Sequence, residues 1–242
     1  MTAIRLLMLA MLLLALPAGC ERADDPIDLS HLPDTITGSA VVRGIVRLEG
    51  AAPIMQVIGR SCADSSRPVT DETVLLNDDG TLRNVVVWLE DGPATNGTNR
   101  PAVTIHLQDC RFDPHVVVAQ IGQTLHIRSH DPKPHNVHCT PQRNRARNFA
   151  LVGIGSEAQT VFGAEEFVRV RCDIHPWMSA WIAVVSTPFH AVTADAGRFE
   201  IDGIPAGRYT LATWHEQYGV QRRPIELLDD QSIDLELIYR VP

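Results

Sequence analysis

One eight-residue stretch, Arg171-Cys172-Asp173-Ile174-His175-Pro176-Trp177-Met178, carries a thiol, an imidazole and a thioether at Cys-x2-His-x2-Met spacing. Upstream, Pro134-His135-Asn136-Val137-His138 offers a second imidazole. One thiolate and two imidazoles in a plane, with a weak and long thioether on the axis, is the donor set of a trigonal copper site. Structural zinc calls for more Cys or His and no thioether. Imidazoles suit Cu(II), and thiolate with thioether suits Cu(I), so this set tolerates both oxidation states. The pattern therefore points to one copper ion held by His135, Cys172, His175 and Met178. A tight loop between two strands delivers three of them, and a neighbouring strand brings the fourth.

Each residue taken singly also has a plainer role. His135 could be a hydrogen-bonded core histidine, and Met178 could simply fill the core. With Cys20 set aside, Cys62, Cys110, Cys139 and Cys172 make an even number. Pairing Cys62 with Cys110 and Cys139 with Cys172 would use them all and leave no copper site. If His135 and Cys172 share one copper site, Cys139, four residues beyond His135 and roughly 13 Å along a strand, stands too far away for that pairing. The remaining nearby histidines, His106, His115, His126, His130 and His138, read as surface or packing residues, because no spacing among them demands a second, catalytic copper. His215-Glu216 after Trp214 reads as a solvated turn, with a polar pair as the alternative.

The elements that must position these residues are strands. The 242-residue chain is 45% hydrophobic but only 5% aromatic, with 16 Gly and 16 Pro, which suits many short strands and turns. Apolar alternation or short apolar runs mark 41–48, 85–89, 103–107, 115–119, 124–128, 167–171, 181–185, 199–201, 209–213 and 233–239. No long stretch has a helical period, so the expected class is all-β, a sandwich or barrel. The net charge of -8 argues against a nucleic-acid partner.

The site segment resembles the cupredoxins, and among them the amicyanins. Pro134-His135-Asn136-Val137-His138 matches their first-ligand motif, and Cys-x2-His-Pro-aromatic-Met is their short ligand loop. Cys110-Arg111-Phe112-Asp113-Pro114 and the run 118–125 follow the early cupredoxin strands. The likeness covers residues 101–186 and implies a Greek-key β-sandwich with one mononuclear blue-copper (type 1) site. It implies that Cys172 is the thiolate, His135 the buried ligand and Met178 the axial one. Asn136 would hydrogen-bond across the loop. His175 would be the partly exposed ligand, framed by Pro176 and Trp177, where a cytochrome or periplasmic dehydrogenase would dock to exchange single electrons. On this reading Cys62 and Cys110 form a disulfide and Cys139 is left unpaired.

The flanks have another texture. Gly44-Ile45-Val46, the turn Gly50-Ala51-Ala52-Pro53, the apolar run 85–89 and the Gly-punctuated stretch 195–211 resemble the carboxypeptidase regulatory-like (transthyretin-like) β-sandwich. That family brings no catalytic set, so the expectation is not an enzyme. The expected layout is a discontinuous sandwich at 38–100 and 187–242 with the cupredoxin domain, 101–186, inserted; a linear three-domain order is the alternative. At the N-terminus, Arg5, the apolar run 6–16 and Ala18-Gly19-Cys20 form a signal peptide that resembles a bacterial lipobox, although Pro17 stands where Leu is usual. The expectation is export to the periplasm with acylation of Cys20; an ordinary secretory signal with an incidental Cys is the alternative. Residues 21–37 read as a linker. Copper delivery or storage at the envelope, and a metal-free binding module with two disulfides, stand as alternative functions.

Overall fold

A computed structural model describes residues 28–62, 64 and 66–241. The signal segment and Cys20 lie outside the described residues. The protein is all-β, with two short 3-10 turns among the described residues. The strands are β1 (Ala40–Glu49), β2 (Val57–Arg60), β3 (Pro68–Thr70), β4 (Val86–Leu89), β5 (Val103–Gln108), β6 (Arg111–Asp113), β7 (Val116–Gln120), β8 (Leu125–Ser129) and β9 (Pro134–Thr140). They continue as β10 (Arg147–Val152), β11 (Glu157–Thr160), β12 (Glu166–Arg171), β13 (Ser179–Val185), β14 (His190–Val192), β15 (Arg198–Ile204), β16 (Gly207–His215), β17 (Gly219–Leu227) and β18 (Ser232–Arg240).

Four sheets make two sandwiches. The first sandwich faces the sheet β15-β1-β18 against β14-β4-β16-β17. Its core holds Val42, Val46, Leu82, Leu89, Phe199 and Tyr239. The second faces β10-β9-β12-β13-β7 against β11-β8-β5-β6. Ile105, Phe112, Ile127, Val137, Val170 and Ile182 fill its core. Strands from both ends of the chain share the first sandwich: β4 pairs with β14 through Trp88 and His190, and β1 runs parallel to β18 from Val41 and Ser232.

The two sandwiches also pack on each other. Val86, Trp88, Ala212 and Trp214 of one sheet meet Val116, Val118, Ala183 and Val185 of the other. Phe167 stacks on Trp214 at 4.3 Å, and Trp181 meets Trp214 edge-on at 5.2 Å. This explains why β4 and β7 read as unbroken apolar runs. Each is buried on both faces, so neither needs a polar alternate. The described part of the 21–37 linker is not free: Leu29 is buried, and Asn96 N–H donates to the Pro33 carbonyl at 2.8 Å.

Candidate metal centre

The loop between β12 and β13 closes on itself. Cys172 N–H donates to the Met178 carbonyl at 3.2 Å, and Met178 N–H donates to the His175 carbonyl at 2.9 Å. The hairpin register Arg171 with Ser179 fixes both ends of that loop. On the other side of β12, Arg171 pairs with His138 of β9, which sets His135 beside the loop. Alternation along β9 turns His135, Val137 and Cys139 into the core, while His138 turns outward to Asp173. Cys139 is buried and unpaired.

The geometry then converges on one sulfur. Cys172 Sγ lies 3.9 Å from His135 Nδ1 and 3.8 Å from His175 Nδ1. His135, Cys172 and Met178 are buried, and His175 is half-buried. A tetrahedral ion at ordinary metal–sulfur and metal–nitrogen lengths separates such donors by about 3.5 Å. The observed distances are thus a slight contraction away from ligation, and the donor set fits a copper ion. Asn136 supports the loop from outside. Its Oδ1 accepts from Asp173 N–H at 2.7 Å and lies 3.5 Å from Cys172 Sγ, and its amide donates to Asp173 Oδ2 at 2.8 Å.

Asp131 is a participant that the motif reading missed. Its buried carboxylate accepts from Asp109 N–H at 2.7 Å and Cys110 N–H at 2.9 Å, and meets His135 Nε2 at 2.9 Å. With Nε2 of His135 directed at a carboxylate, Nδ1 is the nitrogen left to face Cys172. Burial alone would pull the His135 imidazolium down, but Asp131 and Cys172 outweigh it and push the pKa up to about 9. Burial pushes the Cys172 thiol up, yet His135 and the N–H groups around the loop hold it below its ordinary value. His175, desolvated and facing His135, is lowered. The only cue to Asp131 in the sequence was its place four residues before His135.

The other unforeseen neighbour is the disulfide. Cys62 and Cys110 are joined, and Cys62 Sγ sits 3.9 Å from His135 Nε2 and 4.0 Å from His175 Nε2. The two rings are therefore flanked by a free thiol on their Nδ1 side and a disulfide on their Nε2 side. A donor group of Cys62, Cys110, His135 and His175 also lies within 4.8 Å of one another. Two of its members are bonded to each other and are not thiolates, so Cys172 is the free thiol beside the two rings in this state. Cys110 occupies a two-residue turn with Asp109, at φ 58° and 55°. Asp131 accepts both of their N–H groups and so holds a backbone shape that non-glycine residues seldom adopt. β2 lies over the ligand loop: a Cβ built on Gly59 would come within 2.5 Å of the Trp177 ring. The edge of His175 that the sequence reading left framed by Pro176 and Trp177 alone is thus also covered by Cys62.

One expectation away from the centre is corrected: His215-Glu216 is no solvated turn, whereas His115 is the packing residue expected, buried at the junction of the two sandwiches. Glu216 bonds His115 Nε2, and it accepts from Trp181 Nε1 at 2.8 Å, joining the two sandwiches. His215 is fully buried. The His215-Glu216 turn had looked polar because the interface that buries it is formed by distant segments. His106 and His130 bond to each other at 2.9 Å near the surface.

No family model matches the chain, and no curated protein matches it. Several solved structures do. A copper-containing nitrite reductase from Thermus scotoductus SA-01 is 20% identical with a TM-score of 0.33, over 37% of this chain and 23% of its own. This chain therefore spans about a quarter of that reductase. A purple cupredoxin from Nitrosopumilus maritimus is 19% identical with a TM-score of 0.30, over 34% of this chain and 98% of its own. A methionine-to-alanine variant of amicyanin in its Cu(I) form is 13% identical with a TM-score of 0.32, over 40% of this chain and 97% of its own. These are partial likenesses to cupredoxin-type structures.

Proposed function

We propose that this chain is a type 1 copper protein that passes single electrons between redox partners. One observation carries the reading: two imidazole Nδ1 atoms face one buried thiol at 3.8 and 3.9 Å, with Asp131 on the far nitrogen of His135. Cys172, His135 and His175 would hold the ion, with Met178 as the weak fourth ligand. Bound there, copper supplies a one-electron couple. The protein's part is to keep that couple in one geometry. β9, β12 and β13 fix the three side chains, the short loop has no slack, and Asn136 ties its start to β9. Burial of His135, Cys172 and Met178 keeps bulk water from the sulfur.

The N-terminal pattern supports export and a lipid anchor at Cys20, and a cytochrome or dehydrogenase would dock near His175 and Trp177 over the exposed loop residues Ile174 and Pro176, which the Cys62 and β2 cover leaves open. Neither flanking segment offers a catalytic set, so the reading is a carrier rather than an enzyme. The deciding experiment adds Cu(II) to the purified chain and records the visible spectrum of the wild type and of Cys172→Ser. An intense thiolate-to-copper band that Cys172→Ser lacks is expected. A colourless protein that holds only Cu(I) and yields it to a chelator would replace electron transfer with copper storage.

A further inference from the structure

The Nε2 side of the two imidazoles raises a separate question: what Cys62 and Cys110 do there. Their sulfurs and the outer nitrogens of His135 and His175 lie within 4.8 Å of one another. We propose that reduction of the Cys62–Cys110 disulfide creates a second metal site, for a thiophilic ion such as Zn(II) or Cu(I), on the outer side of these imidazoles. Two thiolates with imidazole nitrogen are the donors such ions prefer. Cys62 Sγ is already 4.0 Å from His175 Nε2, within about half an ångström of ligated separation. His135 Nε2 is as close, at 3.9 Å, and joins by exchanging its bond to Asp131 for the ion.

The donors stay in place without the S–S bond, because other contacts position both cysteines. Asp131 accepts the N–H groups of Asp109 and Cys110. Ser61 Oγ donates to Asp109 at 3.0 Å, and Arg67 pairs with the same carboxylate at 3.2 Å. Gly59 seats β2 on Trp177. Opening the disulfide takes two electrons and two protons from an external dithiol, which leaves as a disulfide. Binding of the ion then displaces the two thiol protons and the Nε2 proton of His135 to solvent. The outer site uses neither Cys172 nor Met178, so it stands apart from the blue-copper reading even though both draw on the same rings.

The test uses the full chain carrying Cys172→Ser, which removes the inner thiolate. The protein is reduced with a dithiol, freed of it anaerobically and titrated with Co(II). Thiolate-to-Co(II) charge-transfer absorption saturating at one equivalent is expected for the reduced protein and not for the oxidised one. It should vanish when Cys62→Ser and Cys110→Ser are added. No such absorption in the reduced protein, its persistence after both substitutions, or loss of the β-sheet circular dichroism on reduction overturns the proposal. An independent reading uses the unsubstituted reduced protein. Zn(II) should slow alkylation of Cys62 and Cys110 at least tenfold, read by peptide mass, and equal rates with and without Zn(II) overturn it. Failure of these tests leaves the Cys172 spectrum of the inner site untouched.

Discussion

Asp131 Oδ2 lies 2.9 Å from His135 Nε2, and the same carboxylate also holds the backbone of Cys110. One side chain therefore sets both the orientation of the His135 ring and the position of the disulfide behind it. Asp131→Asn keeps the volume but loses the charge. Partners of this kind are worth about 10–100-fold in metal affinity. We expect Cu(II) affinity, measured against a competing chelator, to fall within that range while the far-ultraviolet circular dichroism is unchanged. Unchanged affinity would remove Asp131 from the site.

Met178 separates packing from ligation. It is fully buried among apolar neighbours, and Met→Leu swaps in such settings cost less than about 1.5 kcal/mol. Met178→Leu should therefore leave the melting temperature within a few degrees and yet move the reduction potential and visible spectrum of the copper-loaded protein. A variant identical to wild type in both would make Met178 a core residue only.

The His115–Glu216 bond links the two sandwiches, and its pH dependence has a definite sign. Burial works against the His115 charge, but Glu216 outweighs it and raises the pKa. The contribution is complete below the unfolded value near 6.5 and is lost as pH rises through the raised folded value. Removing one partner of a buried pair costs about 3–5 kcal/mol. Glu216→Gln should lower the urea midpoint at pH 6, and the gap to wild type should narrow at pH 9. A constant gap would show that the charge is not involved.

His215 runs the other way. Burial lowers its pKa to about 4 against the opposing pull of Glu216, with a smaller contribution from the charged His115 nearby. Stability is then complete above pH 6.5 and falls as the pH drops toward 4, by roughly 3 kcal/mol at the limit. A His215→Gln variant should lose much of that acid sensitivity between pH 6.5 and 4.5, read by urea melts at several pH values. An unchanged acid slope would place the titrating group elsewhere.

Gly59 tests the cover over the ligand loop. A methyl at this position would strike the Trp177 ring, at 2.5 Å. Gly59→Ala should shift the Trp177 fluorescence and cost about 1–3 kcal/mol as β2 is pushed outward. Copper removal by a chelator should become faster. No change in either readout would mean that β2 does not rest on the loop.

The all-β class was legible because strand periodicity is local: alternation at 103–107 and 124–128 became β5 and β8. Cys172 and His175 were legible because they share one compact seven-residue stretch with Met178, and His135 because its motif is equally compact. Asp131 and Glu216 were not, since a carboxylate carries no signal until its partner from another segment is known. Cys62 was read as a disulfide partner. That it would lie against both imidazoles depends on where β2 rests, and no local pattern encodes this. The polar look of His215-Glu216 misled for the same reason.

Strand β1 has a consequence for how the chain reaches this state. Its side chains pair with Glu200, 157 residues downstream, and with Glu236, 189 residues downstream. Closing loops of that length makes completion of the first sandwich slow, and it must follow synthesis of nearly the whole chain. Until β18 arrives, β1 presents an unpaired edge able to recruit strands from other molecules. A chain cut short before Ser232 would therefore leave that edge of β1 open to strands of other molecules.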